Sequence, residues 1–155
     1  MTKIKDVIIK IPISGYLIDI EDVPDATFSE KMLGNGIAIL PDSGEVYAPF
    51  DAVVEQLFET NHAILLCGDN DVRVLIHIGL DTVNLQGKGF ESFIKEGDKV
   101  KSGDLLIKAD LEFIKENNYN TITPIVVVNT DDYNEVCVIN NSETVSIAEE
   151  ILKVN

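Results

Sequence analysis

The 155-residue chain has no tryptophan, two histidines, two cysteines and 12 basic residues against 27 acidic ones. Without Trp, and with aromatics at 6%, a core has to be assembled mainly from Ile, Val and Leu. The shortage of Lys and Arg leaves a formal charge of −15. That excludes nucleic acid as a partner, because a phosphate backbone is held by cations that displace its counterions. It also argues against an anionic membrane surface. The same charge would steer in a basic protein partner, or simply keep the chain soluble, and composition does not separate the two. No apolar run reaches the roughly 18 residues needed to span a bilayer, so no direct membrane insertion is expected. The start, Met1 to Asp6, lacks the apolar stretch and small-residue cleavage site of a secretory signal. Cys67 and Cys137 form no CxxC pair. Two unbridged thiols fit a reducing compartment, and a cytoplasmic location is expected.

What is present is a β pattern. Ile8–Ile11, Tyr16–Ile20, Gly36–Leu40, Val53–Phe58, Ala63–Cys67, Val72–Ile78, Leu105–Ala109 and Ile125–Asn129 are short runs rich in branched residues, separated by Gly, Pro and Asp turns. Helix is confined to Thr27–Leu33, closed by Gly34, to Leu111–Asn117, and to a helical turn over Phe90–Ile94. The expected fold is all-β, an antiparallel sandwich or barrel, in one domain over residues 1–155. The initial Met is what a stand-alone chain would carry. Pro12–Leu17 faintly echoes Pro49–Val54, and Lys95–Leu106 places two Gly-Asp turns around a short strand.

The two histidines, His62 and His77, flank the turn signal Gly68-Asp69-Asn70-Asp71. With Asp69 and Asn70 as the loop residues, the histidines face each other across the hairpin, Cβ atoms about 4.5–5.5 Å apart. A turn centred later pairs His62 with Gly79 and makes the histidines diagonal neighbours. Alternation puts Val72, Val74, Ile76 and Ile78 on the core face and Arg73, Leu75, His77 and Gly79 on the other. Glycine at 79 would leave open space beside the imidazole. Thr60 would share the face of His62 if the strand reached that far.

Such a cluster suits phosphoryl transfer. One imidazole nitrogen is a nucleophile when the other is held by a hydrogen bond. A second imidazole can donate to the phosphoryl oxygens, and a hydroxyl can orient that donor. Two other readings stand beside this one. The pair could be surface decoration, or it could hold zinc, although a closed zinc site wants four ligands, a catalytic one usually three, and Asp81 is the nearest carboxylate in sequence.

Thr60-Asn61-His62-Ala63, followed by Leu75-Ile76-His77-Ile78-Gly79-Leu80-Asp81-Thr82-Val83, resembles the signature of the glucose-type IIA component of the bacterial phosphoenolpyruvate:sugar phosphotransferase system. Ile13-Ser14-Gly15, Asp22–Asp25, Gly34–Ala38, Ala48-Pro49, Leu85–Phe90 and Gly103-Asp104 follow in the family's order, over roughly residues 8 to 130. The resemblance implies a β-sandwich of the duplicated hybrid-motif type and a phosphotransferase component with a phosphohistidine at Nε2 of His77. It gives His62 the role of stabilising the phosphoryl group and Thr60 that of orienting His62. It names the histidine phosphocarrier HPr as donor and a cysteine of a IIB domain of a sugar permease as acceptor. It places Asp25, Gly79 and Asp81 at the site rim and makes Phe28, Met32, Leu33 and Phe58 an apolar docking surface, or alternatively core. No cofactor is required, zinc at His62 and His77 would be adventitious, and a monomer is expected. A regulatory binding module, docking on permeases or metabolic enzymes according to the state of His77, is the alternative. A zinc hydrolase of related shape would need an HxH pair that Leu75–Gly79 lacks, and no biotinyl or lipoyl lysine hairpin is present. Ile11-Pro12, Asn35 and Ala52 depart from the family pattern, as does the tail from Asp131. The sugar is not legible.

Overall fold

The computed structural model describes residues 6–155, so the start of the chain up to Lys5, read above for a secretory signal, lies outside them. The strands are β1 (Val7–Lys10), β2 (Gly15–Asp19), β3 (Asn35–Pro41), β4 (Glu45–Tyr47), β5 (Ala52–Leu57), β6 (Ala63–Cys67), β7 (Arg73–His77), β8 (Phe90–Ser92), β9 (Lys99–Val100), β10 (Leu105–Ala109), β11 (Thr123–Val127), β12 (Val136–Val138), β13 (Thr144–Val145) and β14 (Glu150–Val154). Among the described residues two short helices, α1 (Ala26–Ser29) and α2 (Leu111–Glu116), complete the regular structure apart from 3-10 turns. None of the helices among the described residues is long and apolar enough to cross a membrane.

One antiparallel sheet of eight strands dominates, in the order β13-β2-β3-β11-β7-β6-β5-β9. It reads as two four-strand halves meeting at β11 and β7. The echoing segments Pro12–Leu17 and Pro49–Val54 lead into β2 and β5, which hold equivalent places in the two halves. Two three-stranded sheets, β1-β14-β12 and β4-β10-β8, pack on one face. The main core between the layers is built from Ile9, Ile39, Ile64, Val74, Ile76, Ile78, Leu106, Ile107, Ile125 and Leu152 among others, all fully buried. Each such side chain contributes about 1.5–3 kcal/mol by leaving water. On the opposite face, Ala38, Ala63, Leu65, Leu75 and Val126 join Ile20, Val23, Phe28 and Leu80 in a smaller cluster. The alternation read over Val72–Gly79 therefore holds, and the face carrying His77 is floored by this second cluster.

Two expectations are corrected. Phe90–Ile94 is not a helical turn. Phe90–Ser92 is a strand paired with Ala109, Lys108 and Ile107 of β10, because ladder bonds and burial of Phe90 against the core outweigh a weak local preference. The helix expected over Thr27–Leu33 spans only Ala26–Ser29, since Lys31 takes a left-handed conformation (φ 57°) that breaks it. The tail from Asp131, in which the sequence pattern marks no strand, forms β12 to β14, and β14 pairs with both β1 and β12. The two Gly-Asp turns around β9 are present, each closed by an aspartate: Lys95 N–H donates to Asp98 at 3.0 Å and Lys101 N–H to Asp104 at 2.8 Å.

Candidate functional site

His77 ends β7 and faces the small cluster, with Ala63 directly opposite on β6. The predicted pairing of His62 with His77 is therefore off by one, and so is the diagonal alternative. The reason is the turn. Val72 N–H donates to the Asp69 carbonyl across Asn70 and Asp71, both left-handed at φ 56° and 57°. Asn and Asp tolerate that conformation best among residues with side chains. Gly68 N–H then bonds the Val72 carbonyl at 2.8 Å, so Gly68 and Asp69 share one partner and the ladder shifts by a residue.

With that register, an unbroken strand would turn His62 to the far face. The strand is broken instead. β6 begins at Ala63, and Thr60 and His62 lie in the turn after β5, where Asn61 is left-handed (φ 57°). Asn61 N–H bonds the Phe58 carbonyl at 2.7 Å, Phe58 N–H bonds the Ala63 carbonyl, and Ile78 N–H bonds the His62 carbonyl at 2.8 Å. The rings of His62 and His77 still meet, centroids 4.9 Å apart and nearly perpendicular at 85°.

Each ring has one nitrogen engaged. His77 Nδ1 lies 2.7 Å from the Gly79 carbonyl oxygen. A carbonyl only accepts, so Nδ1 carries the proton and Nε2 keeps its lone pair. His62 Nδ1 lies 2.5 Å from Thr60 Oγ1. When the hydroxyl donates there, Nε2 of His62 carries the proton and can donate it to an anion. Burial, then the charge of His77, pushes His62 down to about 4, so it is neutral at neutral pH. Burial also lowers His77. The Gly79 carbonyl, Asp25 and Asp81 pull it upward, and burial outweighs them. Both rings are thus uncharged and both free nitrogens are Nε2.

The other predicted residues divide. Phe58 lies edge-on to His62 at 5.6 Å. Phe28 lies 5.3 Å from His77 but is only 4% exposed. It is a wall of the site and part of the second cluster, not docking surface, because α1 lays it inward beside Val23. Asp25 caps α1, accepting from Thr27 N–H at 3.0 Å, and Asp81 is exposed. Met32 and Leu33 are exposed and line a cleft of about 300 Å³ whose walls include neither histidine. Gly79 does not leave open space: a Cβ there would come within 2.5 Å of Thr82 Cγ2 and 2.9 Å of the Asn120 carbonyl, and φ is +77°. Sequence reasoning missed Asn61, Thr82 and Asn120. A threonine three residues past a glycine was the one available signal. Among the described residues no group of three or more His, Cys, Asp or Glu is arranged to hold a metal ion.

Residues 7–133 match the family model for the phosphoenolpyruvate-dependent sugar phosphotransferase system, EIIA 1. The chain is 45% identical to the PTS system glucose-specific EIIA component of Oceanobacillus iheyensis, over 97% of this chain and 91% of that one. It is 55% identical over 76% of its length to the PTS system glucose-specific EIICBA component of Staphylococcus carnosus, of which the match covers 18%. Among solved structures, glucose permease IIA from Mycoplasma capricolum superposes with a TM-score of 0.85 at 32% identity, covering 99% of each chain.

Proposed function

The chain belongs to the EIIA 1 family of the phosphoenolpyruvate-dependent sugar phosphotransferase system, and from that premise we propose that Nε2 of His77 is the atom on which it carries the phosphoryl group. As a family member it is a phosphocarrier component of sugar uptake. The observation that carries the finer reading is the bond from His77 Nδ1 to the Gly79 carbonyl at 2.7 Å, which leaves Nε2 as the nucleophile.

The donor is phospho-HPr. The Nε2 lone pair of His77 forms a bond to phosphorus as the donor's nitrogen–phosphorus bond breaks and its electron pair returns to that nitrogen. No proton has to leave His77, because its proton sits on Nδ1. Nε2–H of His62 donates to the phosphoryl oxygens where charge develops. A cysteine thiolate of a IIB domain then attacks phosphorus, and the Nε2–P electron pair returns to His77. The relative whose single chain bears the name EIICBA supports a IIB partner. No cofactor takes part, zinc on the two Nε2 atoms would block the site, and the reaction is cytoplasmic.

Incubation with phosphoenolpyruvate, the first enzyme of the system and HPr is expected to yield an acid-labile phosphate that mass spectrometry assigns to His77. A His77→Gln variant that still took up label would end this reading. His62→Gln is expected to accept phosphate but to pass it on roughly a hundredfold more slowly, the usual loss for one oxyanion donor.

A further inference from the structure

The Gly79 carbonyl holds the proton of His77 on Nδ1, yet it belongs to a left-handed glycine (φ +77°), the residue type with the most backbone freedom. Something has to hold it. The peptide joining Gly79 to Leu80 is held by the Leu80 N–H bond to the Asn120 carbonyl at 2.9 Å. In a planar trans peptide, N–H and C=O point in opposite directions, so this bond aims the Gly79 carbonyl away from Asn120. The peptide on the other side of Gly79 ends in the Ile78 carbonyl, which accepts from Thr82 Oγ1 at 2.5 Å. Thr82 is fully buried, and its Cγ2 fills the space beside the Gly79 α-carbon. Ile78 N–H meanwhile bonds the His62 carbonyl.

We propose that Thr82 is a positioning residue. Its hydroxyl closes the 78–82 loop onto the Ile78 carbonyl, fixes the rotation at Gly79, and so keeps His77 as the Nδ1–H tautomer with Nε2 free. This rests on the role given to Nε2 of His77, but its first readout does not involve phosphate.

Nitrogen NMR of the unphosphorylated protein reports the tautomer directly. The parent is expected to show His77 almost wholly as Nδ1–H. Thr82→Val keeps the shape and removes the hydroxyl. It is expected to show a mixture of tautomers and phosphoryl acceptance from phospho-HPr slowed about tenfold or more, the scale of loss from sub-ångström misplacement, at unchanged half-saturation by the donor. Thr82→Ser keeps the hydroxyl and is expected to stay within about twofold of the parent in both readouts. A folded Thr82→Val protein with the parental His77 spectrum overturns the proposal, and so does a Thr82→Ser protein with mixed tautomers. If Thr82→Val does not fold, Thr82→Ala, which introduces no new bulk, takes its place under the same criteria. Tautomer loss with no phosphate ever found on His77 would refute the functional reading and leave this one standing.

Discussion

At the scale of single residues, the site is two neutral imidazoles whose burial suppresses their charge. His62 titrates at about 4 in the fold against an ordinary 6.5. Between those values the unfolded chain binds a proton that the folded chain refuses. Stability is therefore fully present above 6.5 and is lost as pH falls toward 4. The gap is worth on the order of 3 kcal/mol. Denaturant unfolding of the parent between pH 7.5 and 4 should lose stability more steeply than that of His62→Gln. Equal slopes would refute the buried, neutral state. His77 is lowered for the same first reason, so acceptance of phosphate should be level on the alkaline side of 6.5 and decline in acid as Nε2 is protonated. A rate that rose on acidification would contradict the lone-pair nucleophile.

At the scale of elements, the hairpin register and the break before β6 act together. The extra residue at Gly68–Asp69 puts Ala63 opposite His77, and the left-handed Asn61 lets His62 swing to the same ring despite that register. Asn61→Ala keeps φ at a value that costs an alanine about 1–2 kcal/mol, whereas Asn61→Gly relieves it. The expected order of stability by denaturant melts is therefore Gly close to parent and Ala lower. The Ala variant should also pass phosphate on more slowly, because relaxing part of that strain shifts the turn that carries the His62 ring. An Ala variant equal to the Gly variant in both measurements would remove the turn from the account. The helix α1 does similar work for the opposite wall. Its Asp25 cap and inward Phe28 set a carboxylate and an apolar ring beside His77.

At the scale of the whole molecule, the net charge of −15 sets up a long-range field that a basic partner face would feel. The expected outcome is a bimolecular rate of phosphoryl acceptance that falls as ionic strength rises from about 0.01 to 0.15 M, where the screening length shrinks from about 30 to 8 Å. The subsequent step within a formed complex should be insensitive to salt. A bimolecular rate independent of salt would mean that the acidic surface serves solubility alone.

The amino-acid sequence by itself determined the all-β class, the core-facing alternation of Val72 to Ile78, and the Gly-Asp turns around β9. These follow from short-range periodicity and from turn residues whose backbone preferences act within a few positions. Strands β12 to β14 were not legible, because weakly patterned segments become strands only when a distant edge such as β1 supplies their hydrogen bonds. Nor were the true register, the inward placement of Phe28, or the hold of Thr82 and Asn120 on Gly79. Those were decided by the tertiary structure, because a one-residue bulge leaves no mark in hydrophobic periodicity and a carbonyl is aimed only when remote segments close on both peptides that flank it.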